Sequence, residues 1–227
     1  MTLLHKQFHV CPHCLNEEEV TIWDIIDISQ DPDLREEVLQ KRIQNFVCSS
    51  CQQEWIVAEP FLYHDPQQKL LFYYCPQFAE LLREGMPEDQ NLPAQIRAAL
   101  PVEWAQASSD YALRLVTDYN DLIEKIHVFD NDLDDRLMEV LKIAIRTRQL
   151  DETAQQAWEQ VHFLVHGDAG LLFSVYNEQE DWQTFTLDDQ AYTNAEEMLT
   201  QLLPNEGQWN LIDMNWAVRF VQMNSPQ

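Results

Sequence analysis

The chain has 227 residues, 45% hydrophobic and 11% aromatic, enough apolar material for one large domain or two small ones and too much for a disordered chain. Its 39 carboxylates against 14 Lys and Arg give a formal net charge of -25, which excludes the phosphate-neutralising surface needed for nucleic-acid binding and opposes contact with anionic membranes. No apolar run reaches the roughly 18 to 20 residues that span a bilayer, and the segment before Cys11 lacks the apolar stretch and cleavage site of a signal peptide, so the expected compartment is the reducing cytosol.

Local patterns predict the elements in turn. Glu19 to Ile28 is β-rich and partly alternating, which predicts a strand. Asp31-Pro32 then opens a helix running to about Gln44, with Asp31 as its cap and Asp33, Glu36 and Glu37 near the positive end of the dipole. Asn45 to Val47 leads into a second cysteine pair, followed by a strand through Trp55, Ile56 and Val57. Phe61-Leu62-Tyr63 and Leu70 to Tyr74 flank the turn residues His64 to Gln68 and predict a hairpin. Residues 76–109, with Pro76, Pro87, Pro93 and Pro101, read as a connector between a module at 1–75 and a C-terminal α+β domain at 110–227.

In that domain Tyr111, Leu113 and Leu115 predict a strand. A helix opens near Thr117-Asp118 with Leu122, Ile123 and Ile126 on its buried stripe. A second starts at about Asp132, with Leu133, Leu137, Val140, Leu141, Ala144 and Ile145 at helical spacing and Lys142, Arg146 and Arg148 at its C-terminal end. Ala154 to Gln160 reads as helical. A hairpin joins Val161 to Val165 with Leu171 to Tyr176 through Gly167 and Gly170. Trp182 to Leu187 supplies a third strand and Ala195 to Leu203 a helix, while Trp209 to Phe220 has no assignable type. The fold class is therefore α+β, an N-terminal zinc-ribbon-like β module with an inserted helix followed by an α+β region.

Five cysteines occur, and four form the pairs Cys11-Pro12-His13-Cys14 and Cys48-Ser49-Ser50-Cys51, with 33 residues between them. Each Cys-x-x-Cys turn aims two sulfurs at a common centre, and two turns complete the tetrahedron a zinc ion accepts, with no vacant coordination position. The expected ligands are Cys11, Cys14, Cys48 and Cys51, holding one structural zinc per chain. A redox Cys-x-x-Cys needs one pair and a thioredoxin-like setting, and the fifth thiol, Cys75, has none. Cys75 reads as a half-buried strand cysteine, and His5, His9 and His13 read as non-ligands.

Together with Ile25 to Asp33, Phe61-Leu62-Tyr63-His64-Asp65 and the downstream Asp121 to Ile126, Leu133 to Arg136 and Lys142, these pairs resemble the CpXC domain family over about residues 8 to 148. The resemblance implies a zinc-ribbon-like domain in a cytosolic bacterial protein and no established activity. The chain departs from the pattern at Ser49, where the motif has Pro, and at Leu15 and Gln52, where a Gly that eases positive φ is usual.

Other constellations fail simple tests. Asp130, Asp132 and Asp134 alternate like a calcium loop, but Asp135 stands where Gly should be and Leu141 where the loop ends in Glu. On a regular strand His162 and His166 would point the same way, leaving a weak second metal site conceivable beside a plain solvated face. Leu133-Asp134-Asp135-Arg136 reads as a helix start with an internal salt bridge. The functional expectation is a non-enzymatic, zinc-stabilised binding or regulatory protein. Its expected partner is a basic protein, because residues 151–227 carry 13 acidic groups and one basic, Arg219. The alternative is an enzyme using Asp134, Asp135, Arg136 and His127 between the zinc module and the C-terminal region.

Overall fold

The computed structural model describes residues 1–83, 85–86, 92–100, 110–148, 158–178 and 181–224. The chain is α+β and divides into two compact units, Met1–Leu122 with Glu206–Asn210, and Ile123–Asn205 with Leu211–Gln227.

The first unit is built on a six-stranded sheet in the order β1 (Leu3–Val10), β2 (Glu17–Asp27), β5 (Phe61–Asp65), β6 (Leu70–Tyr74), β7 (Ala112–Val116) and β11 (Trp209–Asn210). The β1–β2 and β5–β6 pairs are antiparallel, whereas β2–β5, β6–β7 and β7–β11 are parallel. Every residue of β5, β6 and β7 is buried, which explains why apolar residues dominate them without alternation: a strand covered on both faces has no solvent side to display. His64 and Asp65 at the end of β5 and Arg114 in β7 are the polar exceptions, and Arg114 is the most deeply buried of them. Fully buried on β7, it makes a two-pronged pair with Glu206 at 2.8 and 2.9 Å, and the Gly207 N–H donates to the Tyr111 carbonyl, so the return of 206–210 to this unit is fastened by charge as well as by strand pairing.

Between β2 and β5 lie α1 (Asp33–Leu39), a 3-10 turn at Arg42–Gln44, and the short pair β3 (Asn45–Val47) and β4 (Glu54–Ile56). The predicted single helix to Gln44 is thus broken, because Gln40 leaves helical geometry and Lys41 takes a φ of 57°. Pro32 occupies the capping position, and the Asp31 carbonyl, not its carboxylate, receives the first N–H, from Leu34. Val20, Ile22, Trp55 and Val57, with Phe46, form a small core beneath β3 and β4. Beyond β6 come a 3-10 turn at Pro76–Phe78, α2 (Ala79–Leu82) and α3 (Ala94–Ala99). Much of the predicted connector lies outside the described residues. The predicted boundaries at 75 and 110 fall between β6 and β7, adjacent strands of one sheet, and the compact units instead divide after Leu122.

Helix α4 (Tyr119–Asp130) carries the chain into the second unit, which contains α5 (Asp135–Arg148), α6 (Asp189–Leu199), α7 (Met214–Asn224) and an antiparallel sheet in the order β10 (Asp181–Leu187), β9 (Gly170–Asn177), β8 (Gln160–Gly167). Its core joins Leu133, Leu137, Leu141 and Ile145 of the α5 region to Val161, Phe163, Phe173 and Val175 of the sheet. The predicted helix over Ala154 to Gln160 lies mostly outside the described residues, and Gln160 itself begins β8. No helix among the described residues is long and apolar enough to cross a membrane.

Candidate metal centre

The two cysteine pairs occupy the β1–β2 and β3–β4 turns, and the folding of those hairpins brings them together. Each turn has the same wiring. The N–H of Leu15 donates to the Cys11 carbonyl at 2.9 Å, and that of Gln52 to the Cys48 carbonyl at 3.0 Å. The N–H of Cys11 and Cys48 close the loops onto the carbonyls of Asn16 and Gln53. Leu15 and Gln52 hold φ of 64° and 59°, the left-handed conformation that the missing glycines would have eased.

Sulfur positions follow from that wiring. Cys11 Sγ lies 3.8 Å from Cys51 Sγ, Cys14 Sγ lies 3.5 Å from Cys48 Sγ, and all four sulfurs fall within 4.8 Å of one another. A tetrahedron with metal–sulfur bonds of about 2.3 Å has edges of about 3.8 Å, so the four thiols fit a single metal ion. Backbone N–H groups reinforce the fit: those of Cys14 and His13 donate to Cys11, and those of Cys51 and Ser50 to Cys48, favouring the thiolates a metal requires. Burial opposes ionisation at Cys11, but those N–H donors bring its pKa down to about 7. At Cys48 the Cys51 N–H is outweighed by burial and by the neighbouring thiols, and the pKa rises to about 12. Four thiolates this close repel one another strongly, and a divalent cation between them removes that cost.

One residue outside the cysteine pairs completes the construction. Glu18, at the start of β2, accepts the Ser49 N–H at 3.1 Å and the Ser49 hydroxyl at 2.8 Å, tying the second turn to the first hairpin. Hydrogen bonds from Ser49, then Asn16 and Cys48, hold its carboxyl below the usual range. The sequence carries no signal for this role, since Glu17, Glu18 and Glu19 look alike until the strand register chooses among them. His5, His9 and His13 are outside the sulfur cluster, with His5 paired to Asp24 and His9 near Glu59. Cys75 also stands apart, fully rather than half buried, and burial pushes its thiol up to about 12.

The remaining predicted constellations are dispersed. The β8 register shifts between Phe163 and Val165, so His162 stands opposite Ser174 and His166 opposite Leu171, on opposite faces of the sheet. A bulge cancels the two-residue period on which a shared face depended. His162 Nδ1 instead meets Glu124 Oε2 at 3.1 Å, and His166 meets Asp189 at 3.0 Å. Asp134 pairs with Arg136, as the helix-start reading expects, and the Arg136 guanidinium also donates to the Pro204 carbonyl at 2.6 Å. Asp135 is buried against Lys125 at 2.9 Å. His127 stands 3.9 Å from Asp130. Lys142, predicted as a cation at the helix C-terminal end, is buried with its ammonium 2.9 Å from both Glu124 and Glu139. The buried ion pairs of Lys142 with Glu124 and Glu139, and of Lys125 with Asp135, leave no sequence signal because charged residues beside an apolar helical stripe look solvent-facing until a second element covers them.

A sequence model of the family described as CpXC protein matches residues 10–142, a span that begins just before the first cysteine pair and ends at Lys142. No curated protein and no solved structure matches the chain.

Proposed function

The chain belongs to the CpXC protein family, and from that premise we propose that it is a non-enzymatic binding protein of the cytosol whose N-terminal fold is held by one structural zinc ion. Cys11, Cys14, Cys48 and Cys51 are the ligands, and the partner is a basic protein. The observation that carries the zinc reading is the convergence of four sulfurs within 4.8 Å from two turns of identical wiring. Four thiolates saturate a tetrahedral ion and leave no position for water or substrate, so the metal's chemistry is to cross-link and not to activate. Tetrahedral sulfur also suits iron, and the choice of zinc rests on its preference for closed structural sites.

The groups of the enzymatic alternative support the same reading by how they are engaged. Asp134 and Asp135 are each committed to a cation of their own unit, Arg136 and Lys125. Elemental analysis of freshly purified protein tests the metal: one zinc per chain is expected, and a ratio near zero, or one iron per chain with its colour, overturns the zinc assignment.

A further inference from the structure

We propose that the open face of the β8–β9–β10 sheet, centred on Trp182, binds lysine or arginine side chains presented by a basic protein segment. The inference rests on the binding-protein reading above and gives its partner a place to dock. One face of this sheet is buried in the core of the second unit through Phe163, Phe173 and Leu187. The register puts Tyr176 opposite Trp182, and His162 opposite Ser174, on the other face. Ser174 is small, so rings from the two outer strands approach each other across β9. The Trp182 centroid lies 5.1 Å from that of Tyr176 and 6.0 Å from that of His162. Trp182 is nonetheless 51% exposed, whereas Trp55, Trp158 and Trp209 are buried. A large indole left in water beside two other rings is a surface on which a cation can sit, because the face of an aromatic ring carries negative electrostatic potential.

The charge around the rings selects the ligand. Glu159, whose N–H donates to the Tyr176 carbonyl at 2.8 Å, Glu178 just beyond β9, and Asp181 at the start of β10 stand at the same end of the sheet, all exposed. Among the described residues none of these three carboxylates pairs with a cation, although Arg146 reaches the nearby Trp158 carbonyl at 3.0 Å. The His162 ring is fixed from behind by Glu124. Aromatic faces and unpaired carboxylates at one end of a sheet match a lysine ammonium or a guanidinium in both chemistry and charge, while they repel phosphate and acidic peptides.

Calorimetric titration with a short lysine–glycine peptide, its arginine counterpart and a glutamate–glycine control tests the site. Both cationic peptides are expected to bind wild type and the acidic one not. Trp182→Ala should weaken binding roughly threefold to thirtyfold, and Trp182→Phe less. Glu159→Gln with Asp181→Asn should weaken it as well, whereas Glu196→Gln with Glu197→Gln, which removes the same charge from exposed positions on α6, should leave most of it. Equal losses from the two double variants, no loss from Trp182→Ala in a variant whose circular dichroism matches wild type, or no binding by wild type overturns the proposal. Zinc content measured on the same samples separates the two readings: one zinc per chain without peptide binding removes only this site, and binding without zinc removes only the structural metal.

Discussion

Leu15 and Gln52 hold positive φ at equivalent places in the two cysteine turns, and a side chain there costs of the order of 1 kcal/mol that glycine avoids. Leu15 is 76% exposed, so its side chain returns little packing in exchange. Leu15→Gly is therefore expected to raise the thermal midpoint and slow zinc loss to a chelator. Gln52→Gly should gain less, because Gln52 Nε2 also donates to the Ser49 carbonyl at 2.9 Å. Cys48→Ser removes one of the four thiols of the proposed zinc site, which has no spare one, so metal content should fall below one equivalent and the β3–β4 turn should lose amide protection. In the second unit, burial acts to raise the Glu124 pKa, but the Lys142 ammonium, His162 and the Phe163 N–H hold it at about 2, below its ordinary 4.5. A depressed carboxylate pKa contributes stability that is present above the ordinary value and lost as pH falls toward the folded one. The urea midpoint should accordingly drop between pH 4.5 and 2, and Glu124→Gln should flatten that part of the profile. Lys142→Met at neutral pH leaves Glu124 and Glu139 buried without their cation and should cost about 3–5 kcal/mol, read from the same urea curves.

At the scale of elements, the β8–β9 hairpin shows how much a turn depends on what covers it. Both glycines of the turn were legible as turn residues, yet they are not equivalent. Gly170 holds a φ of 112°, and a Cβ there would lie 2.3 Å from the Leu187 carbonyl oxygen on β10, whereas nothing lies within 4 Å of one at Gly167. Gly170→Ala should lower stability by more than ~1 kcal/mol and Gly167→Ala by much less, a contrast a pair of thermal melts will show. The same hairpin contains the bulge that separates His162 from His166, and no residue type in Phe163-Leu164-Val165 announced it. Strand β1 leaves no signal in the sequence. Seven of its eight residues are exposed, so it has no buried face to impose an alternation. The hairpins β5–β6 and β8–β9 and helices α4 and α5 were legible because each carries its own apolar period and turn residues, whereas the break in the Asp33–Gln44 helix depends on Lys41 adopting a left-handed conformation.

At the scale of the whole molecule, the proposed zinc site predicts which parts depend on a metal. Chelation should remove protection from the cysteine turns and from β3 and β4, whose core is only Val20, Ile22, Trp55 and Val57 with Phe46. The second unit has its own apolar core and no cysteine, so its sheet should stay protected in hydrogen exchange. A domain boundary at 75 would leave β7 protected while β5 and β6 opened; pairing of β7 with β6 over Leu70 to Tyr74 makes these strands open or hold together. Loss of protection in β8 and β9 on chelation would show that the units are not separately stable. The sequence by itself determined the α+β class, most of the local elements, the two cysteine pairs and the acidic composition, because periodicity, turn chemistry, paired cysteines and charge are written in the residues themselves. Only the tertiary structure decided that β2 runs parallel to β5 and β7 to β6, that Glu206 returns to Arg114, that Glu18 braces the second cysteine turn, and that Glu124 and Lys142 are buried partners. Each of these joins residues distant in sequence, and the free energy that selects them arises when a second element removes water from the first.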